Sequence, residues 1–367
     1  MSKEQYPPPS KAGAPQHTPE KPAKPEPVDG PATTIPTSED VFVVPRKPQP
    51  GVPRPDLAGG DRANVTTRRP SAISPPPRLC TRWGVHDPSF LSQRVNTHWR
   101  VESRRGAAVL RRYGADVAEH DITYELRFSD QLAAAGWPVP PLLEPPIRWH
   151  GRWWALFGLL PGLQRNGPGE DRRRGRLLAE VHATTSTFPA VHRVGWPPVR
   201  DIAFDPRLGD ALRFVERHFP QQGRILLWHL ETAAHRFAEV TGSAPTTVIH
   251  GDFTSRNLLF VGDRLSGILD FEATHPDHRV ADFALAWRAR RDEVVLGYDE
   301  VTNLTEPDWQ LLTPCLWAWA FCGVAAEVER MRRGDVAPHG FDWQVEMLLR
   351  RSPLMGPDAG EYRHGEV

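Results

Sequence analysis

Hydrophobic and polar residues follow different rhythms along this chain. Up to about Pro77 large apolar residues are sparse, and Val41-Phe42-Val43-Val44 is the one apolar patch. From about Arg94 the pattern becomes regular. Trp99-Arg100-Val101-Glu102 alternates as a half-buried strand does, Gly106 marks a turn, and Ala107–Leu110 reads as the return strand. Between Ala118 and Ala135 the period lengthens to that of a helix carrying Ile122, Leu126 and Leu132, and Gly136 closes it. Trp153–Phe157 is a short apolar strand, and Leu160-Pro161-Gly162 breaks it. Helices are expected at Arg173–Thr184 and Arg224–Val240; in the latter Leu226, Leu230, Ala233, Phe237 and Val240 follow the helical rhythm. A hairpin comes next: strand Leu258–Val261, a tight turn at Gly262-Asp263, and strand Arg264–Leu269. Val280–Arg291, Pro307–Arg332 and Phe341–Leu349 read as helices, and no internal repeat is seen.

This order predicts an α+β protein of two lobes. A small β-rich N-lobe spans 81–160, with a hinge at Ala155–Leu160, and a larger helical C-lobe spans 161–352. Residues 353–367 read as a flexible C-terminal tail. The first 80 residues hold nearly half of the chain's 39 prolines. A segment so poor in apolar surface cannot offset its ordering entropy, so a disordered Pro-rich tail is expected. Pro7-Pro8-Pro9 and Pro75-Pro76-Pro77 offer a weak protein partner a polyproline site. The plainer reading, which we favour, is a spacer or an upstream extension from a misassigned start.

Net charge is +0 and the pI about 7.3, which gives no bulk electrostatic reason for nucleic acid or an anionic membrane as partner. The cysteines, Cys80, Cys315 and Cys322, are odd in number and lack CxxC spacing, so no disulfide framework is expected. No apolar run approaches about 18 residues, and no apolar signal core opens the chain, so a cytoplasmic protein is expected.

Chemistry concentrates in Val248-Ile249-His250-Gly251-Asp252-Phe253-Thr254-Ser255-Arg256-Asn257 and Gly267-Ile268-Leu269-Asp270-Phe271-Glu272. A hairpin starts and ends at one edge, so Asn257 and Asp270 should meet at its open end, with Asp252 just ahead. Such hard oxygen donors suit Mg²⁺ bound to nucleotide phosphates. An Asp, four residues, an Asn and a later metal-binding Asp is the kinase catalytic-loop pattern. Asp252 is then the base or hydroxyl-orienting group, and Asn257 and Asp270 are the Mg²⁺ ligands. Singly, each has a bland reading as a turn or cap residue; jointly they do not.

The His-Gly-Asp form, with Ile-Leu-Asp-Phe-Glu in place of Asp-Phe-Gly, resembles the aminoglycoside phosphotransferase and choline-kinase-like family over roughly Leu91 to Leu349. The resemblance implies a protein-kinase-like fold. It also implies Mg²⁺-dependent transfer of the γ-phosphoryl of ATP, or GTP, to a small-molecule hydroxyl. His250 would hold the shape of the loop, and Asp282 would brace it; a plain helix N-terminal Asp is an equal local reading of Asp282. Arg111 would be the phosphate-gripping cation, or Arg112 if the register slips by one. Glu125 would pair with that cation, with an exposed helix ion pair as the alternative. Arg256 would contact phosphate.

Leu91–Thr97 departs from the family by lacking glycine, so the covering loop should approach phosphate less closely or use side chains; Asn96 still matches a polar residue often found in the family before the second strand. In the acceptor region Asp299, Glu300, Glu306, Asp308, Glu327 and Glu329 would suit an amine, and Trp287, Trp309, Trp317, Trp319 and Trp343 a sugar or quaternary ammonium. The bland reading of the tryptophans is core, and of the acids a solvated face. Aminoglycoside, other antibiotic, amino alcohol, sugar and homoserine all stay open as acceptors. So do a peptide Ser/Thr kinase of a natural-product pathway and a catalytically weak pseudokinase.

Overall fold

The computed structural model describes residues 74–240 and 243–355, all within one unit spanning Arg68–Val367. The expected disordered tail up to residue 73, with Val41–Val44 and Pro7–Pro9, lies outside the described residues, as does the C-terminal tail from 356.

The N-lobe begins earlier than composition suggests. Helix α1 (Pro77–Trp83) starts on a proline at its first position and ends on Gly84, whose φ of 59° and N–H to Cys80 and Thr81 carbonyls close it. A tail boundary at 80 therefore falls inside a helix that buries Leu79 and Trp83. Two apolar residues in seven, after a proline run, left no periodicity to read.

Five antiparallel strands follow, ordered β1-β2-β3-β5-β4. They are β1 (His86–Gln93), β2 (Thr97–Ser103), β3 (Gly106–Arg112), β4 (Leu142–Trp149) and β5 (Arg152–Gly158), with helix α2 (Glu119–Ala134) between β3 and β4. Strand alternation sorts the side chains onto two faces. Trp99, Val101, Ala108, Leu110, Trp154 and Leu156 pack with Leu79, Trp83 and Val85 under α1. Tyr113 and Ala155 pack with Ile122 of α2 on the other face. Two strands were not foreseen, and both are edges. β1 is exposed at every position, so it has no alternation to read. β4 contains Pro145-Pro146, which only an edge strand tolerates. The other face of α2 reaches the second lobe, where Phe128 meets Phe271 with ring centroids 5.5 Å apart.

The chain leaves β5 at Gly158 and is pinned to the C-lobe by paired backbone bonds of 2.9 Å between Leu163 and Phe260. Helices α3 (Pro168–Thr185), α4 (Val199–Ala203), α5 (Pro206–His218) and α6 (Pro220–Glu239) come next. Strand β6 (Thr246–Ile249) pairs with β9 (His275–His278), and β7 (Leu258–Val261) with β8 (Arg264–Ile268). The remaining helices are α7 (Phe283–Trp287), α8 (Asp292–Asp299), α9 (Glu306–Ala320), α10 (Val324–Arg332) and α11 (Asp342–Leu349).

Two expected helices are broken. Val280–Arg291 becomes a 3-10 turn and the short α7, because Arg288 and Ala289 take left-handed φ values of 49° and 52°. Pro307–Arg332 divides at Gly323, φ 82°. Within Glu306–Arg332 an 18-residue window has a mean hydropathy of 1.5, long and apolar enough to cross a membrane by composition alone, which the sequence reading did not anticipate. Of that window 67% is buried inside the lobe, as in a core helix.

If α1 belongs to the cooperative core, Leu79→Ala should lower the unfolding free energy by about 2–5 kcal/mol. Denaturant unfolding of the full chain measures this, and an unchanged midpoint would place α1 outside the core.

Candidate active site

The loop after β6 is shaped by one carboxylate. Asp282 is fully buried. Its Oδ2 accepts the N–H of His250 at 2.7 Å and its Oδ1 that of Gly251 at 2.8 Å. His182 of α3 donates Nε2–H to Oδ2 at 3.0 Å, and its other nitrogen meets the Tyr298 hydroxyl. Burial opposes the Asp282 charge, but the His182 bond, the His182 and His250 rings and the backbone N–H outweigh it and hold this carboxyl below its usual range. Gly251 has φ 79°, and a Cβ there would strike the Ala273 carbonyl.

Both ring nitrogens of His250 are occupied. Nε2 donates to the Leu269 carbonyl at 3.0 Å, and Nδ1 accepts the Asp252 N–H at 3.2 Å. The imidazole thus bridges the two segments that carry the acidic residues. Asn257 donates to the Asp252 carbonyl at 2.8 Å and to its Oδ2 at 3.1 Å. Leu269 N–H bonds the Asn257 carbonyl at 2.8 Å, extending the β7–β8 register and bringing Asn257 and Asp270 to the open end of the hairpin. Asp270 sits in the left-handed region, φ 66°. Arg256 lies on the Asp252 carboxylate, its Nη2 2.6 Å from Oδ2. Asp252 Oδ1 is buried with no hydrogen-bond partner among the described residues.

The strand register separates Arg111 from Arg112. Arg112 points to the α1 face, over the Trp99 and Trp154 rings at 5.7 and 5.9 Å. Arg111 points to the α2 face and into the cleft. Its guanidinium lies 2.5 Å from Glu125, 3.3 Å from Glu272 and 3.7 Å from Asp270. Burial works against its charge, but Glu125, Tyr113, Asp270 and Glu272 raise its pKa above the usual arginine value. Glu125 is as buried as its partner, so their contact is not an exposed helix pair.

Three contributors were not singled out from sequence. Glu272 accepts from Asn96 of the β1–β2 turn and from Arg111, joining the covering hairpin to the segment after Asp270. Arg193 donates to the Glu272 and Thr274 carbonyls at 2.8 and 2.7 Å and pairs with Asp121 at the start of α2. His182 holds Asp282. All three act across long sequence separations, and no local pattern marks them.

The acceptor-region residues are engaged elsewhere. Trp287, Trp309 and Trp317 are buried in the helical core, and Trp319 and Trp343 pack against it. Asp308 pairs with Arg279, Glu300 with Arg172 and Arg176, Glu327 with Arg330, and Glu329 with Arg332. Asp299 caps the Leu304 N–H, and Glu306 accepts from Gln310.

Removing the brace should be costly: Asp282→Ala leaves two backbone donors and His182 unsatisfied and should cost about 3 kcal/mol or more in chemical unfolding. The Asp282 contribution is present above the ordinary carboxylate pKa and is lost as pH falls through its depressed value. Glu272 behaves oppositely. Burial first, then Asp270, push it from 4.5 up to about 7. Its contribution to stability is full below its ordinary value and declines as pH rises through about 7. Thermal melts between pH 5 and 8 should therefore show a steeper decline in the parent chain than in Glu272→Gln; parallel curves would contradict the assignment.

Comparison with known proteins bears on the family and the fold. A model described as the phosphotransferase enzyme family matches residues 89–314. A homoserine kinase of Methylobacterium radiotolerans is 30% identical over 237 residues, covering 57% of this chain and 69% of its own. A microcompartment-associated aminopropanol kinase shares the fold at TM-score 0.55 and 19% identity, covering 70% of this chain and 97% of its own. A thermostable mutant of an aminoglycoside phosphotransferase, in ternary complex with ADP and hygromycin B, does so at TM-score 0.55 and 14% identity, covering 74% and 95%. The two-lobed fold is thus the kinase-like one, and the chain belongs to the phosphotransferase enzyme family, as a small-molecule transferase with a hydroxyl group as acceptor.

Proposed function

We propose that this chain moves the γ-phosphoryl of ATP, or GTP, onto a small-molecule hydroxyl with Mg²⁺, using Asp252 as the group that receives the acceptor. The observation that carries this reading is the asymmetry of the Asp252 carboxylate. Oδ2 is held by Arg256 and Asn257, while Oδ1 is buried and unpartnered. A hydroxyl bonded to Oδ1 is oriented for in-line attack. As its oxygen bonds the γ-phosphorus, the bond from that phosphorus to the bridging oxygen breaks, the nucleoside diphosphate leaves with that oxygen, and the hydroxyl proton passes to Asp252. Arg256 is a positioning residue for that carboxylate. Arg111, braced by Glu125 and charged, faces the phosphates from the roof of the cleft. His250 and Asp282 keep the loop in shape.

Asn257 and Asp270 fit a hard divalent cation. They bring one neutral and one charged side chain to the same hairpin end. Among the described residues no group of three or more His, Cys, Asp or Glu is arranged as a cage. Two chain ligands completed by phosphate oxygens and water is how Mg²⁺ is ordinarily held at nucleotides. The ion, when bound, neutralises charge on the transferring phosphoryl group.

The test is Asp252→Asn. Its kcat should fall by about 10²–10⁴-fold, the usual range for a general base. Calorimetric nucleotide affinity should stay within a few-fold of the parent. Transfer is read by mass spectrometry as a phosphate adduct on pooled hydroxylated acceptors. Retained turnover would remove Asp252 from the reaction.

A further inference from the structure

Resting on the reading above, we propose that the acceptor carries a carboxylate beside its reactive hydroxyl, and that Arg288 binds it. This makes the substrate a small hydroxy acid or hydroxy-amino acid rather than an amino sugar.

The argument starts from an unpaired charge. The other buried guanidinium groups around the site each have a carboxylate partner, although Arg111 and Arg174 also leave Nε unbonded: Arg111 with Glu125, Arg174 with Asp171, Arg193 with Asp121, Arg279 with Asp308. Arg288 has none among the described residues. No carboxylate lies within ion-pairing distance of it, and its Nε is buried without a hydrogen-bond partner. It is half-buried, on the Asp252 side of the C-lobe, where it feels the charges of Arg256, Asp252, Arg350 and Arg291. Burial first, and Arg256 next, push it down to about 10. Of its cationic neighbours, Arg256 is on Asp252, Arg350 on Glu346 and Arg291 on Asp171. Arg350 Nε is likewise buried and unpartnered.

The backbone agrees. Arg288 and Ala289 are consecutive non-glycine residues in the left-handed region, a conformation that concentrates at ligand-binding positions. It ends α7 and sets Arg288 where a continued helix would not. The acids that could have served an amine are engaged, so the unmatched charge at the base is positive. A planar guanidinium with no carboxylate partner among the described residues matches the two oxygens of a carboxylate. Bound so, the acceptor would be held at one end by Arg288 and at its hydroxyl by Asp252 Oδ1.

The experiment uses the full chain, ATP and Mg²⁺ with acceptor pairs that differ only in the carboxylate: L-homoserine against 3-aminopropan-1-ol, L-serine against ethanolamine, D-glycerate against ethylene glycol. The acid of at least one pair should exceed its partner in kcat/KM by about tenfold or more. Arg288→Gln should raise the KM for that acid by about 10–100-fold, with kcat within a few-fold and the KM for the neutral or cationic partner unmoved. Arg288→Lys should recover part of the loss. A folding defect would instead lower the melting temperature and affect both members of the pair. Equal or better transfer to the partners lacking the carboxylate overturns the carboxylate site and leaves the phosphotransferase reading standing. Transfer to none of the acids also overturns it. If calorimetry then still shows nucleotide binding, the reaction type survives, and if it does not, both readings fall.

Discussion

The site depends on one buried carboxylate, that of Asp282. It accepts two successive backbone N–H groups from the loop after β6 and one N–H from His182 of α3, 100 residues upstream in the chain. A charge in that position is tolerable only because each oxygen has a donor. In turn the loop it shapes aims His250 across to Leu269, which fastens the strand leading to Asp270. The three acidic and amide groups of the site are therefore placed by backbone, and of the Asp252 carboxylate only Oδ1 is left without a partner among the described residues.

The cleft is electrostatically uneven. On the roof side one guanidinium, Arg111, faces Glu125, Glu272 and Asp270, so carboxylates are in excess there. A divalent cation would relieve that excess, which is consistent with the roles proposed for Asn257 and Asp270. On the floor side the balance reverses: Arg256 and Arg288 flank Asp252, and only Arg256 is paired with it. Helix α2 couples the two sides mechanically, because Glu125 holds the roof while Phe128 packs on Phe271 beside Asp270.

Where the sequence could be read, the signal was local. The β7–β8 hairpin, α2 and α6 came out within a few residues because turn chemistry and apolar period agreed within each segment. Edge strands β1 and β4, the short α4 and the break at Arg288 escaped, since none carries a periodic pattern and each is held by its neighbours. The candidate site divides the same way. Asp252, Asn257 and Asp270 were legible because one hairpin joins them. Glu272, Arg193 and His182 were not, because their partners lie roughly 70 to 180 residues away in the chain.

By itself the sequence pointed to the reaction class through its resemblance to a known family, and the hairpin pattern brought Asn257 and Asp270 to one end with Asp252 just ahead. It also narrowed the roof cation to two neighbouring arginines. Only the tertiary structure chose between them, because strand alternation sends Arg111 and Arg112 to opposite faces and the choice depends on which face meets α2. Only the tertiary structure showed that the acceptor-region acids are engaged and that Arg288 is not. Whether a charge is satisfied depends on what surrounds it in space, and that is set by long-range packing that no local pattern encodes.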